Sequence, residues 1–257
     1  MSNPDKPFGW RKRIGLLSPT VIETTAYDFY KVAPDGVTMC AITSNVEHWN
    51  KENFQKDVLD PLVAAVKYLA SRNVDFIVHT GMPVVTTRGK GFEEEIVKLI
   101  TDATGLPAST SIRSAIRALA HLGIKNVALL SPYPQELHQS AIAFLKASGF
   151  NVVGDHTEDV VFKRLQDVPA AAIVAAAKQL VARAPNADGI YLPCNQWNGS
   201  DAVPLIERET GLPVVAGAFA DYWEAFRSLG INDRIEGHGA LMASLSEVPR
   251  RAAAALG

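Results

Sequence analysis

The chain has 257 residues, 47% of them hydrophobic, with 25 Lys and Arg against 27 Asp and Glu. That length allows one large core or two units of roughly 110 to 130 residues, and an even charge balance without a basic, aromatic-interleaved stripe argues against a nucleic-acid partner. The polar, basic lead (residues 1–13) is followed by an apolar run of only residues 14–17, too short for a signal-peptide core or a membrane span; a cytoplasmic protein with no membrane partner is expected.

Short β-branched runs then alternate with longer helical patterns. In chain order, strands are expected over residues 14–17, 37–42 and 74–78, then over 127–130, 152–153 and 190–192. Helices are expected over residues 59–70, 92–104, 112–122, 136–147 and 170–184. Gly123 and Gly149 stand where helices should stop. Such alternation builds βαβ units on parallel sheets, an α/β protein.

The chain also repeats itself. Leu16-Leu17-Ser18-Pro19 recurs as Leu129-Leu130-Ser131-Pro132, an offset of 113, and the same offset carries Asp75-Phe76-Ile77 onto Asp188-Gly189-Ile190 and Gly81 onto Cys194. Thr104-Gly105-Leu106-Pro107 returns as Thr210-Gly211-Leu212-Pro213 at an offset of 106. These matches indicate a tandem duplication into two pseudo-symmetric parallel-sheet, flavodoxin-like halves. Ligands bind beyond the carboxyl ends of parallel strands, so the site is expected in the cleft between the halves, lined by Pro19-Thr20, Pro132-Tyr133, Thr80-Gly81-Met82 and Pro193-Cys194-Asn195.

Cys194 ends an apolar strand and precedes a helix opening at Asn198-Gly199-Ser200, which places its sulfur near backbone N–H groups that tune a thiol. The commoner fate of a free cysteine is that of a small buried hydrophobe. Cys40, inside residues 37–42, has no counterpart and reads as core. Tyr133 follows a strand end, where its hydroxyl could donate to a carboxylate or a developing enolate oxygen, or its ring could simply pack. Thr20 mirrors it, and the N–H groups of Gly89-Lys90-Gly91 are a weaker anion candidate that a plain tight turn explains as well. No glycine-rich dinucleotide turn, phosphate loop or paired histidine spacing occurs, so neither cofactor nor metal is expected. His79 stays of interest for its closeness to Gly81, and Trp197 as a substrate contact; Trp10, Trp49 and Trp223 are further candidates for a pocket wall or an interface, which leaves homo-oligomerisation open.

These residues resemble the aspartate/glutamate racemase superfamily over nearly the whole chain. Phe29-Tyr30 through Ala33-Pro34-Asp35-Gly36-Val37, and Arg88-Gly89 through Thr104-Gly105-Leu106-Pro107, resemble its maleate cis-trans isomerase and arylmalonate decarboxylase branch. The resemblance implies a crossed connection, with residues 1–112 and 217–257 in one lobe and 113–216 in the other. Racemases and maleate isomerases of this group use a cysteine at both mirrored positions, whereas arylmalonate decarboxylases have glycine first and cysteine second, as Gly81 and Cys194 are here. It thus implies cofactor-independent decarboxylation of a small malonate-type acid, with Cys194 the proton donor and Tyr133 and N–H groups near Gly81 and Asn195 stabilising an enediolate. Pro19, Thr20, Met82, Pro83, Asn195, Gln196 and Trp197 are the expected substrate contacts. Decarboxylases follow the glycine with Thr-Ser and the cysteine with Gly-Gly, where this chain has Met82-Pro83 and Asn195-Gln196. Isomerases usually carry an Asn beyond the first strand's proline, absent from Pro19-Thr20-Val21-Ile22. The alternatives are a maleate-type isomerase or racemase using Cys194 with His79 or a water, and a catalytically inert carboxylate-binding protein.

Overall fold

The computed structural model describes residues 5–247; residues 1–4 of the expected lead and 248–257 of the expected first lobe lie outside the described residues. In the first half, β1 (Lys12–Ser18), α1 (Glu23–Val32), β2 (Val37–Thr43), α2 (Lys51–Phe54, continued by a π turn over Gln55–Leu59), α3 (Leu62–Ser71), β3 (Phe76–His79), α4 (Met82–Thr86), α5 (Phe92–Thr104), β4 (Ala108–Thr110) and α6 (Ser111–His121) follow one another. In the second come β5 (Asn126–Ser131), α7 (Gln135–Ala147), β6 (Asn151–Thr157), a 3₁₀ turn (Phe162–Asp167), α8 (Ala170–Arg183), β7 (Gly189–Leu192), α9 (Gly199–Thr210), β8 (Val214–Ala216), α10 (Gly217–Ser228) and α11 (Ala240–Ala243). Each half forms a four-stranded parallel sheet, in the orders β2-β1-β3-β4 and β6-β5-β7-β8.

The duplicated sequence motifs make the same hydrogen bonds in both halves. Asp75 accepts from the Arg13 backbone N–H at 2.8 Å, and Asp188 accepts from the Asn126 N–H at 2.8 Å, each tying the entry of one strand to that of its neighbour. In the Thr-Gly-Leu-Pro motif the threonine hydroxyl donates back to Ile100 or Ile206, both at 2.7 Å, and accepts the leucine N–H at 3.2 Å. Gly105 and Gly211 take φ +71° and +72°, the left-handed helix stop that a side chain would resist.

Alternation along the strands divides the core. Leu16, Phe76 and Val78 join one large cluster that includes both halves, while Leu17 and Ile77 pack under α3 and α5 with Leu62, Val66, Ile96 and Ile100. Between the sheets, α6 packs along α10; α10 also touches β3, β4 and β8. Every residue of α10 from Gly217 to Phe226 is buried, so this helix shows no polar face from which the sequence could betray it.

The strands β4 and β8 were not expected, since three residues give too short a run to read. Cys40, on the edge strand β2, is half-buried and packs against the cluster under α3 and α5. Among the described residues no helix is long and apolar enough to cross a membrane.

Candidate active site

At the carboxyl ends of the strands the halves face each other across a pocket that is open to solvent. It is lined from one side by Ser18, Pro19, Thr20, Trp49, Thr80, Gly81 and Met82, and from the other by Tyr133, Phe162, Pro193, Cys194, Asn195 and Gln196. The loops read from repeat symmetry are therefore brought together. Trp49, one of the tryptophans expected as a pocket wall or an interface, and Phe162, which was not anticipated, each follow their half's second strand; their rings meet across the cleft at a 36° tilt with centroids 3.9 Å apart. Pro83 and Trp197, expected substrate contacts, are buried outside the lining. Pro83 lies in the first turn of α4, and the Trp197 ring, 1% exposed, turns into the core just before α9 begins.

Cys194 sits just past β7, in the turn before α9, and is 6% exposed. Burial pushes its thiol up to about 11, outweighing the backbone N–H groups of Gln196 and Trp197 and the Tyr133 hydroxyl, all of which favour the thiolate. A buried cysteine held this way is a neutral thiol at neutral pH. Tyr133 is buried beside it, and its hydroxyl donates to the Pro193 carbonyl at 3.3 Å. Burial and the nearness of Cys194 hold its phenol well above the ordinary value, so it remains a donor. The Tyr133 backbone is fixed in turn. Its N–H reaches the Ser131 hydroxyl, its carbonyl accepts from Thr157, and Ser131 is paired to buried His138, whose far nitrogen meets Asp155.

Opposite Cys194, Gly81 has φ +88°, and a Cβ built there would lie 2.6 Å from the Pro19 ring. The pocket thus holds a thiol on one side and, at the mirrored position, a backbone with no room for a side chain. Gln196 and Asn195 are engaged with the first half. The Gln196 amide donates to Val21 and accepts from Thr24, whose hydroxyl also reaches the Asn195 carbonyl at 3.0 Å. His79 does not line the pocket; it is buried, neither ring nitrogen has a hydrogen-bond partner among the described residues, and burial lowers it to about 4. The Gly89-Lys90-Gly91 loop is also elsewhere, and its Gly91 N–H is taken by Glu93 at 2.7 Å.

The arylmalonate decarboxylase family model matches residues 14–242. The chain belongs to that family. Arylmalonate decarboxylase of Bordetella bronchiseptica is 28% identical over 218 residues, covering 84% of this chain and 90% of that protein. Maleate isomerase of Nocardia farcinica is 26% identical over 193 residues, covering 70% and 74%. A crystal structure of arylmalonate decarboxylase superposes with a TM-score of 0.80 at 25% identity, covering 90% of this chain and 98% of that one. A cysteine-to-serine mutant of Nocardia farcinica maleate cis-trans isomerase with a covalently bound succinylcysteine intermediate superposes with a TM-score of 0.83 at 20% identity, covering 91% of this chain and 98% of that one. The two-sheet α/β fold and the arylmalonate decarboxylase and maleate isomerase branch of the superfamily are those expected from the sequence, and the family's members are enzymes.

Proposed function

We propose that this protein is a cofactor-independent carboxy-lyase that removes carbon dioxide from a small 2-substituted malonate-type acid, aryl substituents included. The observation that carries the reading is the pairing of one buried thiol, Cys194, with a side-chain-free backbone at Gly81. Racemisation needs an acid or base on both faces of a carbon, whereas protonating a planar enediolate needs one.

The thiol's state fits that task. A thiolate is the form that attacks carbon, and a neutral thiol is the form that gives up a proton; burial keeps Cys194 neutral. As the carbon–carbon bond breaks, its electron pair passes into the remaining carboxylate and forms the enediolate. The Tyr133 hydroxyl donates to the oxygens where charge develops. The S–H bond of Cys194 then breaks as the new C–H bond forms, delivering the proton to one face. The resulting thiolate is met by the N–H groups of Gln196 and Trp197 and is reprotonated before the next turnover.

The experiment is carbon dioxide release from phenylmalonate and methylmalonate by wild type, Cys194→Ala and Cys194→Ser. Release by wild type and loss in both variants is expected; undiminished turnover by Cys194→Ser refutes the mechanism. A maleate-type isomerase is the second reading, favoured by the likeness to the Nocardia farcinica enzyme. It requires Cys194 to ionise and add to a double bond, and would show as fumarate formed from maleate without gas.

A further inference from the structure

The two halves differ at more than the cysteine. The offset of 106 that relates the Thr-Gly-Leu-Pro motifs carries Ser111, the first residue of α6, onto Gly217, the first residue of α10, and Ala115 onto Asp221. The half bearing Cys194 therefore has Asn195 and Asp221 where the other has Met82 and Ala115. Ala115 is a fully buried core residue. Asp221 is equally buried, and a carboxyl group in the same layer is costly unless it holds something.

What it holds is the turn carrying the thiol. Oδ2 of Asp221 accepts from the Ser111 hydroxyl at 2.7 Å and from the Asn195 side-chain amide at 2.8 Å. Gly217 lets α10 approach the same turn: a Cβ there would lie 2.5 Å from Asn195 Oδ1 and 2.8 Å from the Pro193 carbonyl oxygen. Asn195 is thus fixed at both ends, its amide by Asp221 and its carbonyl by Thr24 and Thr25 of α1. Next in the chain are Gln196 and Trp197, whose backbone N–H groups favour the Cys194 thiolate.

We propose that Asp221 is a positioning residue of the site, itself held by the Ser111 hydroxyl and holding the Asn195 amide, and through Asn195 the turn that presents backbone N–H groups to Cys194. This rests on the reading of Cys194 as the reacting thiol. Burial first, and Glu224 on the same helix, raise Asp221 to about 7, against the opposing hydrogen bonds from Ser111 and Asn195. The clamp therefore titrates near neutrality. Facing it are Glu224, itself paired with Arg117 of α6, Tyr222 beside it, Tyr191 and Cys194 from β7 and its turn, and Tyr133. Asp221 Oδ1 and the Tyr191 hydroxyl are buried there without a hydrogen-bond partner among the described residues. With both donors on Oδ2, Oδ1 is the atom that takes the proton as pH falls.

The test reads the thiol rather than turnover, so it stands apart from the decarboxylation assay. Iodoacetamide alkylation of Cys194 is followed by peptide mass mapping from pH 5 to 9 in wild type, Asp221→Asn, Asp221→Ala, Asn195→Ala and the Asp221→Ala/Asn195→Ala pair, with Cys40 in each sample as a fold control. Asp221→Ala and Asn195→Ala are each expected to change the Cys194 rate about tenfold at fixed pH, with no further change in the pair. The wild-type profile should carry a step near pH 7 that Asp221→Asn removes. Additive effects in the pair, or a step that persists in Asp221→Asn, overturn the proposal. Should Asp221→Ala not fold, Ser111→Ala against Asn195→Ala supplies the same coupling test. A chain that alkylates as described yet releases no carbon dioxide would sink the decarboxylase reading and leave the positioning role intact.

Discussion

Replacing Gly81 with alanine probes the asymmetry on which the functional reading rests. At φ +88° an L side chain pays about 1 to 2 kcal/mol for the left-handed conformation. The added Cβ would also lie 2.6 Å from Pro19 Cγ and 3.0 Å from Cδ, and forcing a proline ring aside in a packed wall costs about 1 to 3 kcal/mol more. Together these give about 2 to 5 kcal/mol, a fall in Tm on the order of 5 to 15 °C for a chain of this size. Gly89, at φ +91° with nothing within 4 Å of a built Cβ, is the internal control: Gly89→Ala meets the backbone cost alone. Differential scanning calorimetry should show Gly81→Ala clearly below Gly89→Ala, with Pro19→Ala recovering part of the difference in the double variant. Equal Tm values for the two glycine variants, or strict additivity with Pro19→Ala, would refute the steric argument. The same geometry predicts that Gly81→Cys will not supply a second thiol opposite Cys194 without displacing Pro19.

Further outcomes follow from the polar groups. Tyr133→Phe should lower kcat for decarboxylation about 10²-fold, the scale of losing one donor to a developing oxyanion, with circular dichroism unchanged; an undiminished kcat would remove Tyr133 from the reaction. Burial raises Asp28, bound to Ser200, to about 6, and Asp221 to about 7, both above their unfolded value of 3.8. At these two sites the folded state binds more protons than the unfolded chain, so their contribution to stability is greatest at low pH and is lost as pH rises through 6 and 7, whereas neutral, buried His79 acts with the opposite sign below 6.5. Thermal unfolding should show the wild-type Tm losing ground to Asp28→Asn and to Asp221→Asn from pH 5 to pH 8; a wild-type Tm that gains on both variants over that range contradicts the assignment.

Much of this site was legible because duplication leaves a regular trace. The matched motifs place Gly81 and Cys194 at equivalent strand ends, and the shared hydrogen bonds of Asp75 and Asp188 show that the repeat is structural. Other parts depend on packing that no local pattern encodes. Trp49 and Phe162 meet only because the halves face each other. Trp197, three residues after Cys194, looks like a pocket residue in sequence, but the turn into α9 sends its ring inward. Asp221 was missed because α10 is buried on every side and gives no amphipathic period; its signal was a charged residue set in the apolar run Ala218-Phe219-Ala220 before Tyr222-Trp223.

The central claim is protonation of one face of an enediolate by Cys194, and the most direct measurement is turnover in deuterated water. Wild type and Cys194→Ala are incubated with aryl- and alkylmalonates and with maleate, and the products are read by NMR. The account predicts loss of one carboxylate with deuterium at a single prochiral position, dependent on Cys194. Exchange or isomerisation without loss of carbon dioxide, or equal deuteration of both faces, would contradict it.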